Sequence, residues 1–100
     1  MKKINKLNKM DTKEYNGWSN WETWNVLVWL NNEENLYNIK QSFIRTNEHK
    51  QDFDNMVKSF LTDIFPNGTQ DMDSAEEMKE VNYQEIAETW KEEYKFENKL

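Results

Sequence analysis

A chain of 100 residues has room for one modest hydrophobic core and is too short for two domains. Only two glycines and one proline accompany 32% charged residues, which favours helices over a loop-rich or sheet-rich fold, and the lack of cysteine excludes disulfides and thiolate metal sites and suits a reducing cytoplasm. The net charge of −6 is unevenly spread: residues 1–47 hold seven Lys/Arg against five Asp/Glu, a net of +2, whereas residues 48–100 hold six against fourteen, a net of −8.

Residues 1–14 carry five lysines with scattered Ile4, Leu7 and Met10, the pattern of a flexible basic arm. This stretch lacks the apolar core of a signal peptide. Residues 15–100 are expected to form a single helical domain. Four of the five tryptophans fall between Trp18 and Trp29, and no other stretch is comparably apolar. Asn16-Gly17 signals a turn, and Ser19-x-x-Glu22 has capping-box spacing, so the first helix should start at about Ser19. At 100° per residue Trp21, Trp24, Leu27 and Val28 share one face, with Val26 and Leu30 nearly opposite; a helix apolar almost all round is usually interior. Trp18 and Trp29 are the indoles expected to reach the surface. Asn25, an amide in this apolar setting, needs hydrogen-bond partners, and an anchor to a neighbouring loop such as the Asn16-Gly17 turn is the expected role.

A tight turn at Asn31-Asn32 leads into a second helix, about 33–46, whose stripe is Leu36, Ile39 and Phe43, widened by Tyr37 and Ile44. The third, about 49–65, has the clearest periodicity: Phe53, Met56, Val57, Phe60, Leu61 and Ile64, stopped by Pro66-Asn67-Gly68. Residues 68–80 are acidic with almost nothing to bury and read as a mobile loop, in which Ser74-x-x-Glu77 could cap a short turn. The last helix starts at Asn82, with Glu85 at capping-box spacing, and buries Tyr83, Ile86, Ala87, Trp90 and Tyr94. The predicted architecture is all-α, a compact bundle of about four helices around a central Trp-rich helix. Its structural core is Trp21, Trp24, Leu27, Val28, Phe43, Phe53, Val57, Phe60, Ile86 and Trp90.

Chemistry is sparsely signalled. His49 is the lone histidine and reads as a surface residue, Asp71-x-Asp73 lacks the offsets of a calcium loop, and Asn67-Gly68-Thr69 is no phosphate cradle. No catalytic residue, metal site or cofactor is expected, and no apolar run approaches the roughly 20 residues of a membrane span. The negative second half repels nucleic-acid phosphates and attracts basic protein clefts, although acidic bias is also a common route to solubility.

The stretch Asn16-Gly17-Trp18-Ser19-Asn20-Trp21-Glu22-Thr23-Trp24-Asn25-Val26, continued through Trp29-Leu30 to Leu36-Tyr37, resembles small phage- and plasmid-borne proteins that share an N-G-W-[TS]-N-x-E-T-W-N-V pattern. Val81-Asn82-Tyr83-Gln84-Glu85-Ile86-Ala87-Glu88 is similar to that group's closing helix. The resemblance implies a small helical domain encoded by a mobile element, acting in the host cytoplasm, and transfers no catalytic or binding residue. By analogy with other small acidic proteins of mobile elements, it suggests an anti-CRISPR or antirestriction inhibitor whose acidic, phosphate-mimicking surface occupies a host protein's basic cleft. Asp71, Asp73, Glu76, Glu77, Glu80, Glu88 and Glu92 are the expected partner-binding residues. The alternatives are a nucleic-acid-binding accessory protein using the lysine arm and surface tryptophans, and a self-associating regulatory protein.

Overall fold

The computed structural model describes Tyr15 and residues 17–97; the predicted lysine arm lies outside them. Among the described residues the fold is all-α: α1 (Trp21–Asn32), α2 (Glu34–Asn47), α3 (Phe53–Ile64), a 3-10 helix (Ala75–Glu80) and α4 (Tyr83–Glu97). Helix α1 packs on α2 and on the 3-10 helix, while α4 packs on α3 and α2.

Each boundary has a local cause. Gly17 takes a positive φ of 90° in the turn that brings the chain into α1. The N-cap is Asn20 rather than the expected Ser19: its backbone is extended and its side chain accepts from the Thr23 amide at 2.9 Å. One extended residue, Glu33, separates α1 from α2 and caps the latter by accepting from the Asn35 and Leu36 amides. Helix α3 begins at Phe53, the first residue of its apolar periodicity and four residues after the expected start at 49, following turns at Asn47–Phe53, and ends before Pro66 and Gly68. Gly68 has φ 82°, and a Cβ there would meet the Met72 sulfur at 3.1 Å and the Ser74 carbonyl oxygen at 3.3 Å.

The core is centred where predicted, with two shifts of face. Trp21, Leu27, Phe53, Val57, Ile86 and Trp90 are buried, Trp24, Phe43 and Phe60 are half-buried and pack against the core, and Val28 is half-buried. Val26 and Leu30, on the opposite side of α1, are fully buried as well. Helix α1 is thus covered on both sides, as its nearly all-round apolarity requires. On α2 the expected stripe is corrected. Ile39 is 49% and Tyr37 41% exposed, whereas Lys40, Ile44 and Asn47 face inward. Phe43 holds the helices together: its ring stacks on Phe60 at 4.2 Å and on Phe53 at 5.6 Å, and Trp90 meets Phe43 and Phe60 edge-on at 6.4 and 6.3 Å.

Residues 68–80 are better packed than the expected bare loop. Thr69, Met72 and Met78 are buried, Ser74 accepts from the Glu76 amide at 3.2 Å, and Tyr83 donates its hydroxyl to the Met78 carbonyl at 2.7 Å. Burial pushes the Tyr83 pKa up to about 12, so this hydroxyl keeps its proton across the working pH range.

Candidate functional site

The seven predicted partner-binding acids do not form one free cluster. Asp71 faces inward, accepting from the Asn25 amide at 2.8 Å and from the Trp29 indole N–H at 2.9 Å. Glu77 is half-buried, and its carboxylate accepts from the Asp73 amide at 2.7 Å. Glu76 is exposed but pairs with Lys79 at 2.9 Å. Asp73 and Glu80 are exposed on the segment leading to α4. Glu88 and Glu92 are exposed at i, i+4, about 6 Å apart along the helix axis, and Gln84 donates to Glu88 at 3.3 Å. Glu80, Glu88 and Glu92 are thus exposed carboxylates, whereas Asp71 and Glu77 are engaged in contacts within the fold. Across the described residues, seven Lys/Arg face seventeen Asp/Glu, a net of −10.

The tryptophan motif uses its polar side chains to pin distant segments. Asn25 is fully buried; its amide nitrogen donates to Asp71 and its oxygen accepts from the Thr69 hydroxyl. The anchor loop is thus the segment after Gly68, and the Asn16-Gly17 expectation is corrected on this point among the described residues. At the start of α1, Ser19 donates its amide (3.3 Å) and hydroxyl (2.8 Å) to the Glu85 carboxylate, and Asn20 donates to the Glu80 carbonyl at 2.8 Å. The Asn82 amide in turn donates to the Thr23 hydroxyl at 2.8 Å. Asn82 still caps α4 through the Glu85 amide at 3.0 Å. The Glu85 side chain, however, reaches across to α1, so the capping box is shared between two helices.

A groove of about 250 Å³ between α2 and α4 is lined by Tyr37, Lys40, Trp90, Glu93, Tyr94 and Glu97. Lys40 sits at its floor, 6% exposed, donating to the Asn31 side-chain oxygen at 2.6 Å with its amine 4.6 Å from the Tyr37 ring centre and 5.9 Å from that of Trp90. Burial lowers its pKa below the ordinary value of 10.5, while Glu93 and Glu97 pull the other way. The folded amine holds its proton less tightly than the unfolded one. Stability should therefore rise with pH through the window just below 10.5. Lys40→Met keeps the stem and removes the charge; it should be neutral or stabilise by about 1 kcal/mol at pH 7 and flatten that rise, as urea titrations at pH 7 and 10 would read.

A family model described as a family of unknown function, DUF7249, matches residues 11–98. The chain belongs to DUF7249. No curated protein and no solved structure matches it. In this DUF7249 chain the match spans both segments that the pins join, Ser19–Asn25 and Thr69–Glu85. No group of three or more potential metal ligands occurs among the described residues, and no helix there is long and apolar enough to cross a membrane. Two features of this DUF7249 chain escaped sequence reasoning. Capping-box spacing gives Glu85 to its own helix, yet its carboxylate engages Ser19, and Lys40, a polar residue outside the apolar stripe of α2, is buried. The i, i+4 spacing of Lys40 with Leu36 and Ile44 was the available signal.

Proposed function

We propose that the protein acts by non-catalytic binding, presenting an acidic surface to the basic cleft of a host nucleic-acid-directed defence enzyme of the CRISPR-effector or restriction type, in the host cytoplasm. The observation that carries this reading is the net of −10 on the described body, with Glu80, Glu88 and Glu92 exposed at and along α4. Carboxylates on a packed helix cost little entropy to position, and charge of one sign speeds encounter with a basic cleft and deters nucleic acid itself. The defence target follows from the mobile-element resemblance and is an argument by analogy. The half-buried, core-packed Trp18, Trp24 and Trp29 weigh against a base-stacking platform, which also wants nearby positive charge.

Expression in cells whose CRISPR or restriction system destroys an incoming plasmid tests the reading. The wild-type chain should restore transformation. A chain with Glu80→Lys, Glu88→Lys and Glu92→Lys, checked for unchanged helical circular dichroism, should lose most of that protection, and binding to the target should weaken at least about tenfold on raising salt from 50 to 300 mM. Failure of the wild-type chain to protect against either system removes the defence-enzyme role.

A further inference from the structure

Helix α3 carries an open groove of about 360 Å³ that the other described helices leave uncovered. Its floor is apolar: Met56 and Phe60, both half-buried, with Phe43 stacked on Phe60. Its two ends are acidic, Asp52 and Asp63, and no lysine or arginine lines it among the described residues. Neither carboxylate is hydrogen-bonded to the helix, although Asp52 stands at the end where the dipole favours an acid. Asp52 occupies the N-cap position yet makes no side-chain capping bond, and Asp63 lies in the last turn, where the helix dipole disfavours an acid. Both are exposed, with no hydrogen-bond or ion-pair partner among the described residues. Eleven residues of helix put them about 16 Å apart.

We infer that this groove docks a basic peptide segment of a partner protein, an apolar side chain resting on Met56 and Phe60 and a cation meeting Asp52 and Asp63 at either end. The charge decides the occupant: a self-complementary contact would set two pairs of carboxylates against each other, and a nucleic acid would bring phosphates to them. An extended segment rises about 3.3 Å per residue, so the two cations stand about five residues apart around the anchor. This rests on the reading that the chain binds a basic protein and gives that protein a contact point separate from Glu88 and Glu92.

Two synthetic peptides test it on the full chain labelled with 13C at methionine methyls: one with arginines five residues apart flanking a phenylalanine, the other with glutamates in place of the arginines. The arginine peptide should move the Met56 resonance saturably and leave Met72 and Met78 in place. Asp52→Asn with Asp63→Asn, both surface changes, should weaken it about tenfold, and the glutamate peptide should not bind. A silent Met56, or equal binding of both peptides, overturns the groove assignment. The two readings fail separately: plasmid protection with a silent Met56 removes the groove alone, and Met56 binding without protection removes the defence-enzyme role alone.

Discussion

Asn25→Asp, a change of one atom, should cost the fold about 3–4 kcal/mol at pH 7. Asn25 is 1% exposed, and its amide nitrogen sits 2.8 Å from the Asp71 carboxylate. The substitution turns a donor into an acceptor and sets two carboxylates in contact, one of them fully buried and the other half-buried. Losing a hydrogen bond to a charged group costs about 1.5–3 kcal/mol, and here repulsion between two carboxylates is added while the Trp29 indole still holds Asp71 in place. The pair then titrates as a unit, with one proton retained to higher pH than either carboxyl would hold alone. The folded state of the variant binds more protons than the unfolded chain, so its deficit should shrink as pH falls from 7 towards 4. Urea unfolding followed by circular dichroism at both pH values reads this directly. Asn25→Ala, losing bonds without adding charge, should cost about 2 kcal/mol with no such pH dependence. Equal losses for the two variants at pH 7 would mean that Asp71 turns away into solvent.

Trp90→Ala should cost about 4 kcal/mol, within the roughly 3–5 expected for emptying an aromatic core position. Trp90 is 1% exposed and meets Phe43 and Phe60 edge-on, so truncation removes both ring contacts and the floor under the Lys40 amine. A domain of this size has about 5–15 kcal/mol in hand, so the variant should melt far below the wild type or be partly unfolded at 37 °C. Phe60→Ala, at a half-buried ring, should cost about half as much. Thermal scans of the three chains under one condition would rank them; a Trp90→Ala chain as stable as Phe60→Ala would show that the bundle collapses around the gap.

The periodic stretches were legible because apolar spacing is a backbone property. Phe53, Val57 and Leu61 fell on the buried side of α3, and Ile86, Ala87 and Trp90 on that of α4. Polar residues were misjudged where tertiary contacts give them partners that no local rule supplies. Lys40 is buried because its stem and amine lie among Tyr37, Trp90 and Asn31, and that turns Ile39 outward. Asp71 looked like a surface acid because its donors, Asn25 and Trp29, come from more than forty positions earlier. Met72 and Met78 are the only large apolar residues of an otherwise polar, acidic segment, and they are buried because α1 offers the 3-10 helix a side to pack on. At α1 itself, Ser19 and Asn20 both suit a cap, and the choice rests on Glu85, 66 residues away, which engages Ser19.

That shared junction bears on how the polypeptide matures. The first turn of the tryptophan helix is completed by a carboxylate made some sixty residues after it, so a nascent or shortened chain ending before position 80 lacks the groups that fasten Ser19, Asn20 and Thr23. Its largest apolar helix would then stand with one end undone and its indoles within reach of chaperones and proteases until the segment carrying Glu80, Asn82 and Glu85 has emerged.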